Sequence, residues 1–187
     1  MRRVISNRPD AAGLEWAAAQ GLRTQLVDHE SFASREDFEG ALAQAIDADS
    51  PRHIVLAGFM RIFTRGFIER YPRRILNIHP SLLPSFPGLH THRQALAAGV
   101  KVHGATVHVV TPALDSGPIV IQGAVPVLAG DGEESLAARV LAVEQRIYPQ
   151  ALRWFAEGRI EFTEGDVVRV RGADVSPECM ISPRIPA

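Results

Sequence analysis

Arg74-Ile75-Leu76-Asn77-Ile78 is a short apolar run that passes directly into His79-Pro80-Ser81-Leu82-Leu83-Pro84-Ser85-Phe86-Pro87-Gly88. The first part predicts a buried strand, because aliphatic and β-branched residues suit a pleated surface covered by other chain. The second part holds too many prolines for a helix or a central strand and predicts a stiff, irregular loop. Their junction puts Asn77 and His79 at the carboxyl end of the strand, the edge at which open α/β sheets bind ligands.

Working outward, short strand-like runs alternate with helical patterns, the signature of an α/β fold with crossover helices and a parallel sheet. Upstream, residues 3–6 and 24–27 read as strands flanking an Ala-rich helix over 11–20, with Asp10 as its cap and Gly21 as its stop. Ser34 offers a cap for a helix over 36–46, whose Phe38, Leu42 and Ile46 recur on one face. The unbroken apolar run of residues 53–58 predicts a strand buried on both faces, and residues 64–71 a short helix ended before Pro72. Downstream, residues 91–98 predict a helix closed by Gly99. Residues 105–110 and 119–127 predict strands joined by a turn-rich loop, the first alternating as a strand covered unequally on its two faces. A long helix over 133–157, starting at Asp131 or Gly132 and kinked at Pro149, precedes a C-terminal hairpin of residues 160–162 and 167–170. The economical reading is one domain over 1–172 and a loosely ordered, proline-containing tail over 173–187.

Composition narrows the function class. The chain has 187 residues, 46% of them hydrophobic and 22% charged, and a net charge of -1, which gives no pull toward nucleic acid or an acidic membrane. Small-molecule chemistry is the default. A single cysteine, Cys179, excludes a disulfide framework or a thiolate cluster and suits a reducing compartment. No apolar run approaches the roughly 18 residues of a membrane span, so a cytoplasmic protein is expected. His79, His90, His92, His103 and His108 crowd the middle of the sequence, yet no cysteine or carboxylate completes a ligand set beside them, and no metal is expected.

Four ordered motifs carry the chemistry: Asn77-Ile78-His79-Pro80-Ser81-Leu82-Leu83-Pro84, Gly88-Leu89-His90-Thr91-His92-Arg93-Gln94-Ala95-Leu96, His103-Gly104-Ala105-Thr106-Val107-His108-Val109-Val110 and Asp115-Ser116-Gly117-Pro118-Ile119. Together, over residues 3–158, they resemble the phosphoribosylglycinamide formyltransferase family, the folate-dependent enzymes of purine synthesis. The resemblance implies a Rossmann-like sheet with flanking helices. It also implies transfer of a formyl group from 10-formyltetrahydrofolate, as co-substrate, to the amine of phosphoribosylglycinamide.

The residues suit that reaction on their own chemistry. When an amine attacks a formyl carbon, an oxyanion grows on the formyl oxygen, and the amine must shed a proton as the folate nitrogen leaves. An Asn amide is a fixed neutral donor suited to the oxyanion, and Asn77 fills that description. His79 lies two residues on, so its side chain leaves the strand on the same side and can donate as an imidazolium. The resemblance gives Asp115 the duty of holding that histidine charged, with an ordered water beside it relaying the amine proton.

Further residues rest on the resemblance. It implies that the pterin lies in an apolar cleft contacted by Met60, Arg61, Ile62 and Phe63 and by the loop of Thr111, Pro112, Ala113, Leu114 and Asp115. It gives Arg35 a contact to the folate and Glu144 a contact to the glycinamide substrate. The rival readings are core filling for Ile62 and Phe63, and solvated surface charges for Arg35 and Glu144.

The expected partners are these small molecules and a second copy of the chain, with neither nucleic acid nor membrane. A methionyl-tRNA formyltransferase is disfavoured by the neutral charge and the short segment after the long helix. The remaining alternatives are a formyltetrahydrofolate deformylase, which needs the same Asn, His and Asp with water as acceptor, and a non-catalytic folate-binding remnant. One departure stands out. The family pattern begins with an additional strand and a Gly-Ser-Asn type loop that holds the substrate phosphate, and neither is found upstream of Asn7. The expectation is therefore an N-terminally incomplete formyltransferase domain, with a record starting downstream of the true initiator favoured over a shortened relative or a remnant.

Overall fold

The computed structural model describes residues 2–173 and Ser182. The expected tail, Cys179 included, lies outside the described residues apart from Ala173 and Ser182. The expected single span divides into two compact units, Met1–Arg52 with Arg61–Tyr71, and His53–Met60 with Pro72–Ala187.

In the first unit, β1 (Val4–Ser6), α1 (Ala12–Ala19) and β2 (Thr24–Leu26) form a parallel pair with a helical crossover, in the register Val4↔Thr24. Asp10 does not cap α1. The cap residue is Ala11, without a side-chain bond, because the Asp10 carboxylate accepts instead from the Arg8 guanidinium at 2.9 Å. The next helix, α2 (Arg35–Asp47), starts where expected, with the Ser34 hydroxyl accepting from the Asp37 N–H at 3.0 Å. Phe38, Leu42 and Ile46 are buried, as their spacing requires. The buried Glu39 carboxylate accepts from the backbone N–H of Thr64 at 2.8 Å and from its hydroxyl, and that hydroxyl caps α3 (Arg65–Arg70).

The second unit holds β3 (Ile54–Val55), β4 (Ile75–His79), α4 (Thr91–Ala97), β5 (Val102–Val109), β6 (Ile119–Pro126), α5 (Glu133–Ala156) and the hairpin β7 (Ile160–Phe162) and β8 (Val168–Val170). Its main sheet has the order β3-β4-β5-β6. β3 and β4 are parallel, whereas β4–β5 and β5–β6 are antiparallel. The loop between β5 and β6 is shorter than the dozen or so residues a parallel crossover needs, which fixes that direction.

Two expectations about burial change. β5 is covered on both faces, with residues 103–109 all buried, because it is a central strand. Ala105 and Val107 pack into clusters with Leu136, Val140, Ala151 and Phe155 of α5, and Thr106 on the other face meets the loop after β4. β3 is shorter than its apolar run suggests, and Val55 is 45% exposed. It is an edge strand whose partner is β4, so its far side is not covered by another strand among the described residues.

The long helix starts at Gly132 and continues through Pro149. Asp131 organises its first turns, accepting from the Leu128 N–H at 2.7 Å, from the Ser135 hydroxyl at 2.9 Å and from Arg139 at 2.8 Å. The helix lies close to β6 because residue 123 is glycine: a Cβ there would sit 2.2 Å from Cγ1 of Val143.

Two outcomes follow for stability. Gly123→Ala is expected to lose about 1–3 kcal/mol by overpacking, measured by urea unfolding, and adding Val143→Ala should restore part of it. The Arg139 guanidinium beside Asp131 holds its carboxyl below the usual carboxylate range. That contribution is fully present above the ordinary value of 3.8 and is lost as pH falls through the lower folded-state value. Asp131→Asn should therefore be less stable than the parent at pH 7, with the gap closing in strong acid as seen by thermal unfolding across pH.

Candidate active site

The antiparallel pairing of β4 with β5 sets Asn77 opposite His108 and His79 opposite Thr106. Directly opposed residues share a face, so these four side chains form one polar patch on a sheet whose other face is apolar core. Asp115 joins them from the loop after β5. Its backbone is left-handed, with φ of 48°, and the chain then returns so closely that a Cβ at Gly117 would lie 1.8 Å from the Val109 carbonyl. Only glycine permits that approach.

The Asp115 carboxylate, whose side chain is 10% exposed, lies against three groups. Oδ2 accepts from the Gly88 N–H at 2.8 Å and lies 3.5 Å from Nδ1 of His79, while Oδ1 lies 3.8 Å from Nε2 of His108. The other ring nitrogen of His79 is 3.0 Å from the Phe86 carbonyl. Two acceptors thus face the two ring nitrogens, an arrangement satisfied by a ring protonated on both.

The loop that supplies Phe86 and Gly88 is pinned by Thr106. Its hydroxyl donates to the Ser81 carbonyl at 2.7 Å and accepts from the Leu83 N–H at 3.0 Å and from the Gln122 amide at 2.9 Å. Ser81 in turn donates to the Ser85 carbonyl at 2.6 Å.

Of the residues expected at the site, Asn77, His79 and Asp115 are brought together, and Glu144 lies within electrostatic reach of His79. Burial pushes the Glu144 carboxyl up, and the charge of His79 opposes that rise, so this is not a freely solvated surface acid. In the loop after β5, Thr111 donates to the Ala113 carbonyl at 3.2 Å, while Pro112, Ala113 and Leu114 are exposed. Met60 is 74% exposed.

Arg35, Arg61, Ile62 and Phe63 belong to the other unit. There Phe63 stacks on Phe67 at 4.3 Å and fills core, Ile62 is 56% exposed, Arg61 lies over the Phe38 ring, and Arg35 is an exposed first residue of α2.

Sequence reading missed Thr106, His108 and the backbone of Phe86 and Gly88. The alternation of residues 105–110 was a signal for the first two, but only the strand pairing shows which residues they oppose. Burial pushes the nearby His103 imidazole down to about 4, with the charge of His92 adding to the effect, so it is a neutral packing group. Among the described residues no three His, Cys, Asp or Glu side chains form a group able to hold a metal ion.

Thr106→Val strands buried partners of the hydroxyl. It is expected to cost about 1–3 kcal/mol in urea unfolding, because an unpaired buried donor or acceptor keeps its full desolvation penalty.

Residues 1–152 match the formyl transferase family. Over 164 residues, covering 88% of this chain and 77% of the relative, the sequence is 50% identical to the phosphoribosylglycinamide formyltransferase of Escherichia coli. The solved glycinamide ribonucleotide transformylase 1 of Symbiobacterium toebii is 51% identical with a TM-score of 0.87, over 91% of this chain and 80% of that one. A formyltetrahydrofolate deformylase from Pseudomonas syringae is more distant, 30% identical with a TM-score of 0.82, over 91% of this chain and 56% of its own. On these similarities the chain belongs to the formyl transferase family.

Proposed function

We propose that this protein transfers the formyl group of 10-formyltetrahydrofolate to the amine of phosphoribosylglycinamide, with Asn77, His79 and Asp115 as its catalytic residues. The observation that carries the reading is the buried contact of His79 with Asp115 on the face that also presents Asn77. Homology to enzymes named for this reaction supports the choice of substrate.

The chemistry runs as an addition and an elimination. The amine attacks the formyl carbon, forming the new C–N bond and placing negative charge on the formyl oxygen. The Asn77 amide donates to that oxygen, and the His79 imidazolium, fixed between Asp115 and the Phe86 carbonyl, adds positive charge beside it. The added amine loses a proton toward Asp115, directly or through water, as the C–N bond to the folate breaks and the folate nitrogen takes up a proton. Desolvation makes each of these charges count for more than in water. Glu144 faces the amine-bearing substrate. The exposed apolar side chains of Met60 and Leu114 are suited to the pterin. A cytoplasmic setting fits this role.

The similarity to a deformylase makes water the competing acceptor. Formyl transfer is measured with the amine present and absent. The expected result is turnover that requires the amine and falls about 10²–10³-fold in Asn77→Ala and in His79→Ala. Turnover that ignores the amine would assign the chain to hydrolysis instead.

A further inference from the structure

The Asn77 amide can serve the formyl oxygen only if its NH₂ end, not its carbonyl, faces the reaction. Asn amide ends are nearly isosteric, so something must choose between them. The side chain opposite Asn77 is His108, which is 3% exposed. Nδ1 of His108 lies 3.3 Å from the Val109 carbonyl, and Nε2 lies 3.4 Å from Nδ2 of Asn77.

A carbonyl only accepts, so Nδ1 carries a proton. Burial pushes the His108 imidazole down and keeps it neutral, which leaves Nε2 as a bare lone pair. The 3.8 Å between Nε2 and Asp115 Oδ1 agrees, since that is longer than a hydrogen bond. A lone pair at Nε2 admits the nitrogen of the Asn77 amide and repels its oxygen.

We infer that His108 is a positioning residue for formyl transfer: its Nε2 accepts one N–H of Asn77, locking the amide so that the second N–H is presented to the formyl oxygen. The role is passive with respect to protons and acts wholly through Asn77. It rests on the reading that Asn77 stabilises the oxyanion.

Two measurements test it. The first is ¹⁵N NMR of the histidine rings in the unmodified chain, where His108 should show a proton on Nδ1 and none on Nε2. A protonated Nε2 would overturn the inference, whatever any variant does.

The second is a double-mutant cycle with His108→Phe, which keeps a ring but removes the acceptor. Alone, it should lower kcat about 10- to 100-fold with KM for the formyl folate within about 2-fold of the parent. Combined with Asn77→Ala, it should add less than about 3-fold, because the group it orients is gone. An equal loss in both backgrounds would overturn the inference and assign His108 to packing or to Asp115. If instead Asn77→Ala alone costs nothing, the reading of Asn77 fails, and the NMR result still decides the tautomer.

Discussion

The pairing of β4 against β5 is the constraint on which the site depends. It opposes Asn77 to His108 and His79 to Thr106, and a slip of either strand by one residue would turn its two site residues to the other face and part them from their partners. The opposite face holds the register in place. Leu76 and Val107 are fully buried there against Ala151 and Phe155 of α5. Exposing such side chains costs about 1.5–3 kcal/mol each, so a few of them match the whole stability of an ordinary domain. The apolar side of the sheet therefore fixes the geometry of its polar side.

A second restraint acts within β4. The Tyr148 hydroxyl, on α5, donates to the Leu56 carbonyl at 2.5 Å and lies 3.2 Å from the carbonyl of Leu76, the residue just before Asn77. The backbone bond from Leu56 N–H to the Leu76 carbonyl ties the same two strands. One helix thus supplies both the apolar floor beneath the site and a polar tie to the strand that carries it.

Charge is managed locally. A largely buried carboxylate is costly unless it is paired and hydrogen-bonded, and Asp115 receives the Gly88 N–H and faces the His79 imidazole. The Gly88 N–H comes from a loop held by Thr106 and Gln122, which lie on the antiparallel strands β5 and β6, whereas His79 stands at the end of β4. The left-handed backbone at Phe86, Gly88 and Asp115 bends both loops into this arrangement. Strained conformations of this kind persist where surrounding structure over-determines them.

The sequence by itself determined what short-range chemistry encodes. Ser34 announced its helix because a hydroxyl at a helix start has one obvious use, and Phe38, Leu42 and Ile46 marked a buried face by spacing alone. The order of motifs from Asn77 to Asp115 pointed to the family and to three residues that meet in space. Only the tertiary structure decided the antiparallel pairing of β4 with β5, the exposure of Val55 at an edge, the loss of Asp10 as a cap to Arg8, and the place of His108 beside Asn77. Each of these depends on which distant residue lies across a strand or beyond a turn. A local pattern states what a segment prefers, and long-range packing chooses the neighbour that satisfies it.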